Sequence, residues 1–332
     1  MMINTRGKRP VIAITVGDCN GIGPEVVLKS VRQPSVKNAC MPVLVGPADI
    51  FYFYARKLHL ENALAGIPIV ESSSISRRLI TPGKISAAAG EAAAKAIAAA
   101  VELANASIVQ AVVTAPVSKR ALHKAHIRFP GQTEMLQQLS ASRSVAMMLV
   151  SPTLRVGLAT IHVPLRNVAR VLTRPLLRER VRLIHDALRN DWNIKKPRIA
   201  VLALNPHAGE GGDLGEEDDK VVAPVVRELQ RKRMRVEGPF PADAFFGRYK
   251  PGLYDAVVAM YHDQGLIPLK MSAFCSAVNV SVGLPIIRTS PDHGTAFEIA
   301  GKGIADPASM IEAIMLASTM AAHRMRSKRN HR

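Results

Sequence analysis

The first apolar run of the chain, Val11-Ile12-Ala13-Ile14-Thr15-Val16, is short, β-branched and closed by Gly17-Asp18. It predicts a buried strand that ends in a loop. Pro24-Glu25 then opens a helix through Val26, Val27 and Leu28. Strand-like runs recur at 42–45, 111–114, 146–150, 156–161, 198–204 and 256–260. Helical patterns lie between several of them, at 87–104, 133–139, 175–190 and 218–231, with a last one at 309–324. In the first of these, alanine at most positions supplies helix propensity and Ser86 is placed as an N-cap. Alternating strands and helices define an α/β protein. No internal repeat is present, and only the basic end after Met325 is expected to be disordered.

With 332 residues, 48% hydrophobic and 21% charged, the chain buries a sizeable core. Its length suggests two domains. No apolar stretch is long enough to span a membrane, and the basic residues Arg6, Lys8 and Arg9 precede too short an apolar run for a leader. Cys19, Cys40 and Cys275 are odd in number and contain no C-x-x-C pair, which fits a reducing cytoplasm. The 44 Lys and Arg against 26 Asp and Glu leave a charge of +18, which favours anionic partners. Aromatics at 4% and the lack of any finger, RNP or zipper pattern argue against nucleic acid. The tail Arg324, Arg326, Lys328, Arg329, Arg332 and the run Arg231-Lys232-Arg233-Met234-Arg235 read as solvated faces.

Candidate chemistry gathers where strands end, because α/β proteins build sites at the carboxyl ends of strands. Three such ends each bring one histidine: His162 after Ala159-Thr160-Ile161, His207 after Leu204-Asn205-Pro206, and His262 after Met260-Tyr261. Three imidazoles are able to hold a divalent metal such as zinc and leave a position open. Their spacing does not tie them together, and each alone fits a capping or hydrogen-bonded histidine equally well. The loop Gly209–Gly215 is either a close approach to a ligand or a surface turn. Gly17-Asp18-Cys19-Asn20-Gly21-Ile22-Gly23 lacks the G-x-G-x-x-G order of a dinucleotide loop, although the helix that follows is able to receive an anion. Lys270 and Arg288, in a segment with Asn279, Thr289, Asp292 and His293, are either anion ligands or surface ion-pair formers. Gln132 and Thr133 mark either a plain helix start or an anion site at that start.

Five segments together resemble the 4-hydroxythreonine-4-phosphate dehydrogenase family of pyridoxal phosphate biosynthesis. They are Gly17-Asp18-x-x-Gly21-Ile22-Gly23-Pro24-Glu25, Thr114-Ala115-Pro116-Val117-Ser118-Lys119, Asn205-Pro206-His207-Ala208-Gly209-Glu210, Tyr261-His262-Asp263-Gln264-Gly265, and the run from Gly283-Leu284-Pro285 through Arg288-Thr289-Ser290 to Asp292-His293-Gly294-Thr295-Ala296. The resemblance extends from about Val11 to about Ala317. It implies a two-domain α/β fold like that of isocitrate and isopropylmalate dehydrogenases, with the active site in the cleft, and a homodimer that shares its sites. The first domain is expected at 1–130 plus 285–332, on the cofactor side. The second is expected at 131–284, on the metal, substrate and dimer side.

By the same resemblance His162, His207 and His262 bind a divalent metal, zinc first, with magnesium or cobalt as alternatives, and Gln132, Thr133, Lys270, Asn279 and Arg288 bind substrate. Asp243 matches an active-site residue, and either Lys270 or Asp243 relays the alcohol proton. The implied reaction is oxidation by NAD or NADP of 4-phosphohydroxy-L-threonine, followed by decarboxylation; no cofactor-binding residue is placed.

Two positions depart from the family. Gln132 stands where histidine is usual, and Cys19-Asn20 where Pro-Ala is usual. The first bears on substrate choice, since relatives on this scaffold look to act on 4-phospho-threonate, phospho-erythronate or cyclic cis-dihydrodiols. An anion- or nucleic-acid-binding protein on a degenerate enzyme scaffold is the alternative from another class. The histidine triad argues against it.

Overall fold

The computed structural model describes residues 9–129, 131–273 and 277–330. Arg6, Lys8, Cys275 and Arg332 lie outside the described residues, as do the side chains of Lys328 and Arg329. The chain builds β1 (Val11–Thr15), β2 (Met41–Val45), β3 (Ile69–Val70) and β4 (Ala111–Val113), then β5 (Ala146–Val150), β6 (Arg155–Leu158), β7 (Arg198–Leu202), β8 (Arg235–Phe240), β9 (Ala256–Ala259) and β10 (Val278–Val282), and last β11 (Arg288–Pro291). Helices alternate with most of these strands, so the expected α/β class is the one observed. The chain separates into two compact units, one comprising the residues up to Arg143 together with those from Leu284 on, the other Ser144–Gly283. Gln132 and Thr133 therefore belong with the first unit.

In the first unit the strand order is β3-β2-β1-β4-β11. All of its pairings are parallel. Ile12, Ala13 and Ile14 of β1 are wholly buried, as strands of a parallel sheet covered on both faces should be. The alanine-rich helix runs Ala87–Asn105, capped by Ser86, whose Oγ accepts from the Ala89 amide at 3.2 Å. A Cβ on its Gly90 would lie 2.2 Å from the Ala121 carbonyl oxygen, so the small residue lets the helix Lys119–Lys124 pack against it. The final helix runs Ala308–Asn330, so the segment after Met325 continues as helix to Asn330, where disorder was expected.

In the second unit the order is β10-β5-β6-β9-β7-β8. β10, β5 and β6 pair antiparallel. The pairs from β6 to β8 are parallel. Leu149, Val156, Leu158, Ala200, Leu202, Val257 and Ala259 form its core. Gly157 pairs with Val258 and Leu158 with Ala259, which brings the carboxyl ends of β6 and β9 level.

Candidate active site

The level ends of β6 and β9 carry two of the three expected metal ligands. Thr160 continues the pairing past the strand: its amide and its hydroxyl both donate to the Met260 carbonyl, at 3.2 and 2.7 Å. The chain then turns at His162, whose φ of +47° is a left-handed conformation rarely taken by a residue with a side chain. His262, just after β9 as the sequence placed it, opens the helix His262–Ala273. The His162 and His262 rings are 5.8 Å apart between centroids. His262 Nδ1 lies 2.6 Å from Asp263 Oδ1. A carboxylate accepts only, so Nδ1 carries the proton and the Nε2 lone pair is left for a ligand.

His207 sits in a different setting, on an exposed turn after β7. Five consecutive residues, His207 to Gly211, have φ between +44° and +82°. Three of them are not glycine, so the turn holds backbone strain of the kind found at ligand sites. Asp218, fully buried, anchors its start by accepting from the Leu204 amide at 2.7 Å and the Asn205 amide at 2.9 Å. Among the described residues no group of three His, Cys, Asp or Glu is placed to hold a metal ion within one chain. Two borderline imidazoles with a carboxylate behind one of them do fit a zinc-like ion that completes its shell elsewhere.

Gln264 stood in one of the motifs that carry the resemblance, with no role assigned to it. Its Oε1 accepts from the Met260 amide and its Nε2 donates to the Ala203 carbonyl, both at 2.7 Å, so one side chain clamps the ends of β9 and β7. Lys270 lies two turns along the same helix from His262 and is half-buried. Asn279 is half-buried on β10, and Asp243 is exposed on the short helix Ala242–Gly247.

A second group of expected residues meets in the first unit. Arg288, at the start of β11, is 2% exposed, and burial pushes its guanidinium down to about 9. Its Nε and Nη2 donate to Thr114 Oγ1 at 3.0 and 2.6 Å, and Nη2 also donates to Gln132 Oε1 at 2.8 Å. Thr114 Oγ1 in turn donates to Gln132 Oε1 at 2.8 Å. Gln132 and Thr133 open the helix Gln132–Leu139 behind the N-cap Gly131. A desolvated guanidinium beside a helix amino terminus is suited to a phosphate or carboxylate. Thr114 belonged to a recognised motif, but nothing local in the sequence assigned it this position.

The glycine loop after β1 is a packing device. Cβ atoms on Gly17, Gly21 and Gly23 would lie 2.6 Å from the Pro116 oxygen, 2.8 Å from the Thr295 oxygen and 2.6 Å from the Val16 oxygen. The helix start behind it is supplied with a carboxylate by the chain itself. Buried Glu25, in the first turn, accepts from Lys29 Nζ and the Ala305 amide, both at 2.8 Å. Asp18 in the loop is also fully buried; Oδ1 accepts from the Asn20 amide at 2.9 Å, whereas Oδ2 has no partner. Burial pushes its carboxyl up to about 6, against the opposing pull of the Asn20, Gly21 and Ser118 amides.

Thr114 just past the carboxyl end of the parallel strand β4, with the desolvated Arg288 at the start of the neighbouring β11 and the start of a helix beside it, defines an α/β protein with a site suited to a small anionic ligand. Comparison with known proteins makes the assignment specific. Residues 38–317 match the family model described as pyridoxal phosphate biosynthetic protein PdxA, and the chain belongs to that family. The 4-hydroxythreonine-4-phosphate dehydrogenase of Trichlorobacter lovleyi is 40% identical, over 95% of this chain and 99% of its own. The D-threonate 4-phosphate dehydrogenase of Cupriavidus necator is 42% identical, over 95% and 98%. A crystal structure of a 4-hydroxythreonine-4-phosphate dehydrogenase from Burkholderia phymatum superposes with a TM-score of 0.83 at 40% identity, covering 95% of this chain and 99% of that one. The protein is an oxidoreductase of this family. No helix among the described residues is long and apolar enough to cross a membrane.

Proposed function

We propose that the protein oxidises the secondary alcohol of 4-phosphohydroxy-L-threonine with NAD or NADP. The immediate product, 2-amino-3-oxo-4-phosphooxybutanoate, loses its carboxylate as carbon dioxide and leaves 3-amino-2-oxopropyl phosphate. The observation that carries this reading is the buried Arg288, joined to Gln132 and Thr114, as the site of the substrate phosphate. A neutral cis-dihydrodiol would leave that guanidinium desolvated without a countercharge from the ligand, so it fits less well.

His162 and His262 would hold a divalent metal, zinc first, and the exposed His207 would supply a further imidazole, with ligands shared between the subunits of a homodimer. When bound, that ion supplies Lewis acidity for the alcohol oxygen and for the enolate of the decarboxylation. Asp263 keeps His262 in the Nδ1–H tautomer, and Gln264 holds the strand ends that position both loops. Lys270 and Asn279 bind the amino-acid part of the substrate, and Lys270 or the exposed Asp243 takes the alcohol proton. A bound NAD or NADP would supply the hydride acceptor.

D-threonate 4-phosphate is the second reading, favoured by the Cupriavidus necator relative and by Gln132 at the position where histidine is usual. NAD(P)H formation with each phosphorylated alcohol, under zinc and with each nucleotide, separates the two. Turnover of the threonine compound supports the first reading, turnover of the threonate alone supports the second, and turnover of neither contradicts both.

A further inference from the structure

The hydrogen bonds around Arg288 determine which way the Gln132 amide faces. Arginine has no acceptor, so Thr114 Oγ1 must accept from Arg288 Nε and Nη2, and its single proton is left for Gln132 Oε1. Gln132 Oε1 accepts from Arg288 Nη2 as well, which fills both of its lone pairs. The flipped amide would turn its N–H groups toward the N–H groups of a cation. Nε2 therefore faces away from Thr114 and Arg288, and it makes no hydrogen bond to any described residue.

We propose that Thr114 is a positioning residue of the phosphate site: with Arg288 it locks the Gln132 amide so that only N–H donors meet the ligand, which selects a fully ionised phosphate and removes titration of residue 132 from binding. The inference rests on Arg288 and Gln132 being the phosphate site.

A histidine at 132 would act differently. Neutral imidazole offers one donor and one acceptor, and imidazolium offers two donors beside a guanidinium. It would charge as phosphate binds and couple affinity to pH. Other charged groups lie near this position. Glu134 is on the same helix, with Oε2 2.9 Å from a Cβ built on Gly131, and Lys119 on a neighbouring helix approaches the same point at 3.8 Å. The helix Ala87–Asn105, which packs against the Gln132 helix, carries Glu91 and Lys95 as an ion pair at 2.7 Å, and also Glu102.

The test is steady-state kinetics from pH 5.5 to 8 on the wild type, Thr114→Val, Thr114→Ser and Gln132→His, with far-UV circular dichroism as the check on folding. Thr114→Val should raise KM for the phosphorylated alcohol about tenfold with kcat within about twofold, and Thr114→Ser should restore it, since one hydroxyl bonded to charged and amide partners is lost and regained. The ratio of KM between Gln132→His and wild type removes the pH dependence that the two proteins share. That ratio should fall several-fold as pH drops through the histidine range near about 6.5. An unchanged KM in Thr114→Val, or a pH-independent ratio, overturns the proposal. The rise in melting temperature caused by inorganic phosphate is measured on the same four proteins. If neither alcohol is turned over, the functional reading fails, while a phosphate-induced rise that Thr114→Val abolishes and Thr114→Ser restores still supports the positioning role. An equal rise in all four proteins overturns it.

Discussion

Replacing Asp18 by asparagine should stabilise the protein at neutral pH and have less effect in mild acid. The carboxyl is fully buried with one oxygen unpartnered, and its pKa moves from 3.8 to about 6. Because the folded pKa is the higher one, the folded state binds the proton more tightly than the unfolded state does. Below about 3.8 both states are protonated and the group contributes nothing. As pH rises toward 6 the unfolded state ionises first, so stability falls through that window, and the deficit is complete above it. A shift of about two pKa units corresponds to about 3 kcal/mol. Asparagine avoids that charge but leaves its amide hydrogens without an acceptor beside the former Oδ2, which offsets about 1 kcal/mol or more. The expected gain at pH 7.5 is therefore about 1–2 kcal/mol, and linkage makes it smaller at pH 5 by about 1 kcal/mol. Urea unfolding of both proteins at the two pH values, followed by circular dichroism, reads this difference directly. A loss of stability at pH 7.5, or the same change at both pH values, would refute the reasoning that burial dominates at Asp18.

Other perturbations address the two groups of site residues and the fold that carries them. Arg288→Met should raise KM for the phosphorylated alcohol about 10- to 100-fold, the range for losing charge-assisted hydrogen bonds. Unchanged KM would exclude Arg288 from the phosphate site. His262→Ala should keep its circular dichroism spectrum while bound zinc, measured by mass spectrometry, drops from about one ion per subunit and turnover is lost; full metal content in the variant would remove His262 from the ligand set. Gly265→Ala would place a methyl 2.5 Å from Val156 Cγ1 and 2.9 Å from Ala259 Cβ, so a loss of about 1–3 kcal/mol in urea unfolding is expected, and wild-type stability would show that the helix is free to shift.

The strands that could be read from sequence are the ones made of uninterrupted β-branched and aliphatic residues. β8, Arg235-Val236-Glu237-Gly238-Pro239-Phe240, was not read as a strand: it begins inside the basic run taken as a solvated face and lies at the edge of its sheet. β11, Arg288-Thr289-Ser290-Pro291, is polar yet wholly buried, since Arg288 is held by Thr114 and Gln132 and the Thr289 hydroxyl donates to the Ala313 carbonyl. The helix His262–Ala273 was hidden by Gly265 and Pro268, two helix breakers that close packing and the open final turns tolerate here. Candidate site residues were legible as residue types at strand ends, and by resemblance. Their assembly was not legible, because Thr114 meets partners 18 and 174 residues away and Gln264 reaches a carbonyl 61 residues away. Asp18 stood in a recognised motif, but its burial and its unpartnered oxygen arise only once the loop closes against Pro116 and Thr295.

The most direct test of the account compares 4-phosphohydroxy-L-threonine and D-threonate 4-phosphate with their dephosphorylated alcohols, following NAD(P)H formation by the zinc-loaded protein. Recognition of phosphate at the Arg288–Gln132 group predicts that removing the phosphate lowers kcat/KM at least about 100-fold, the equivalent of two lost charge-assisted hydrogen bonds. Equal turnover of an alcohol with and without its phosphate would contradict it.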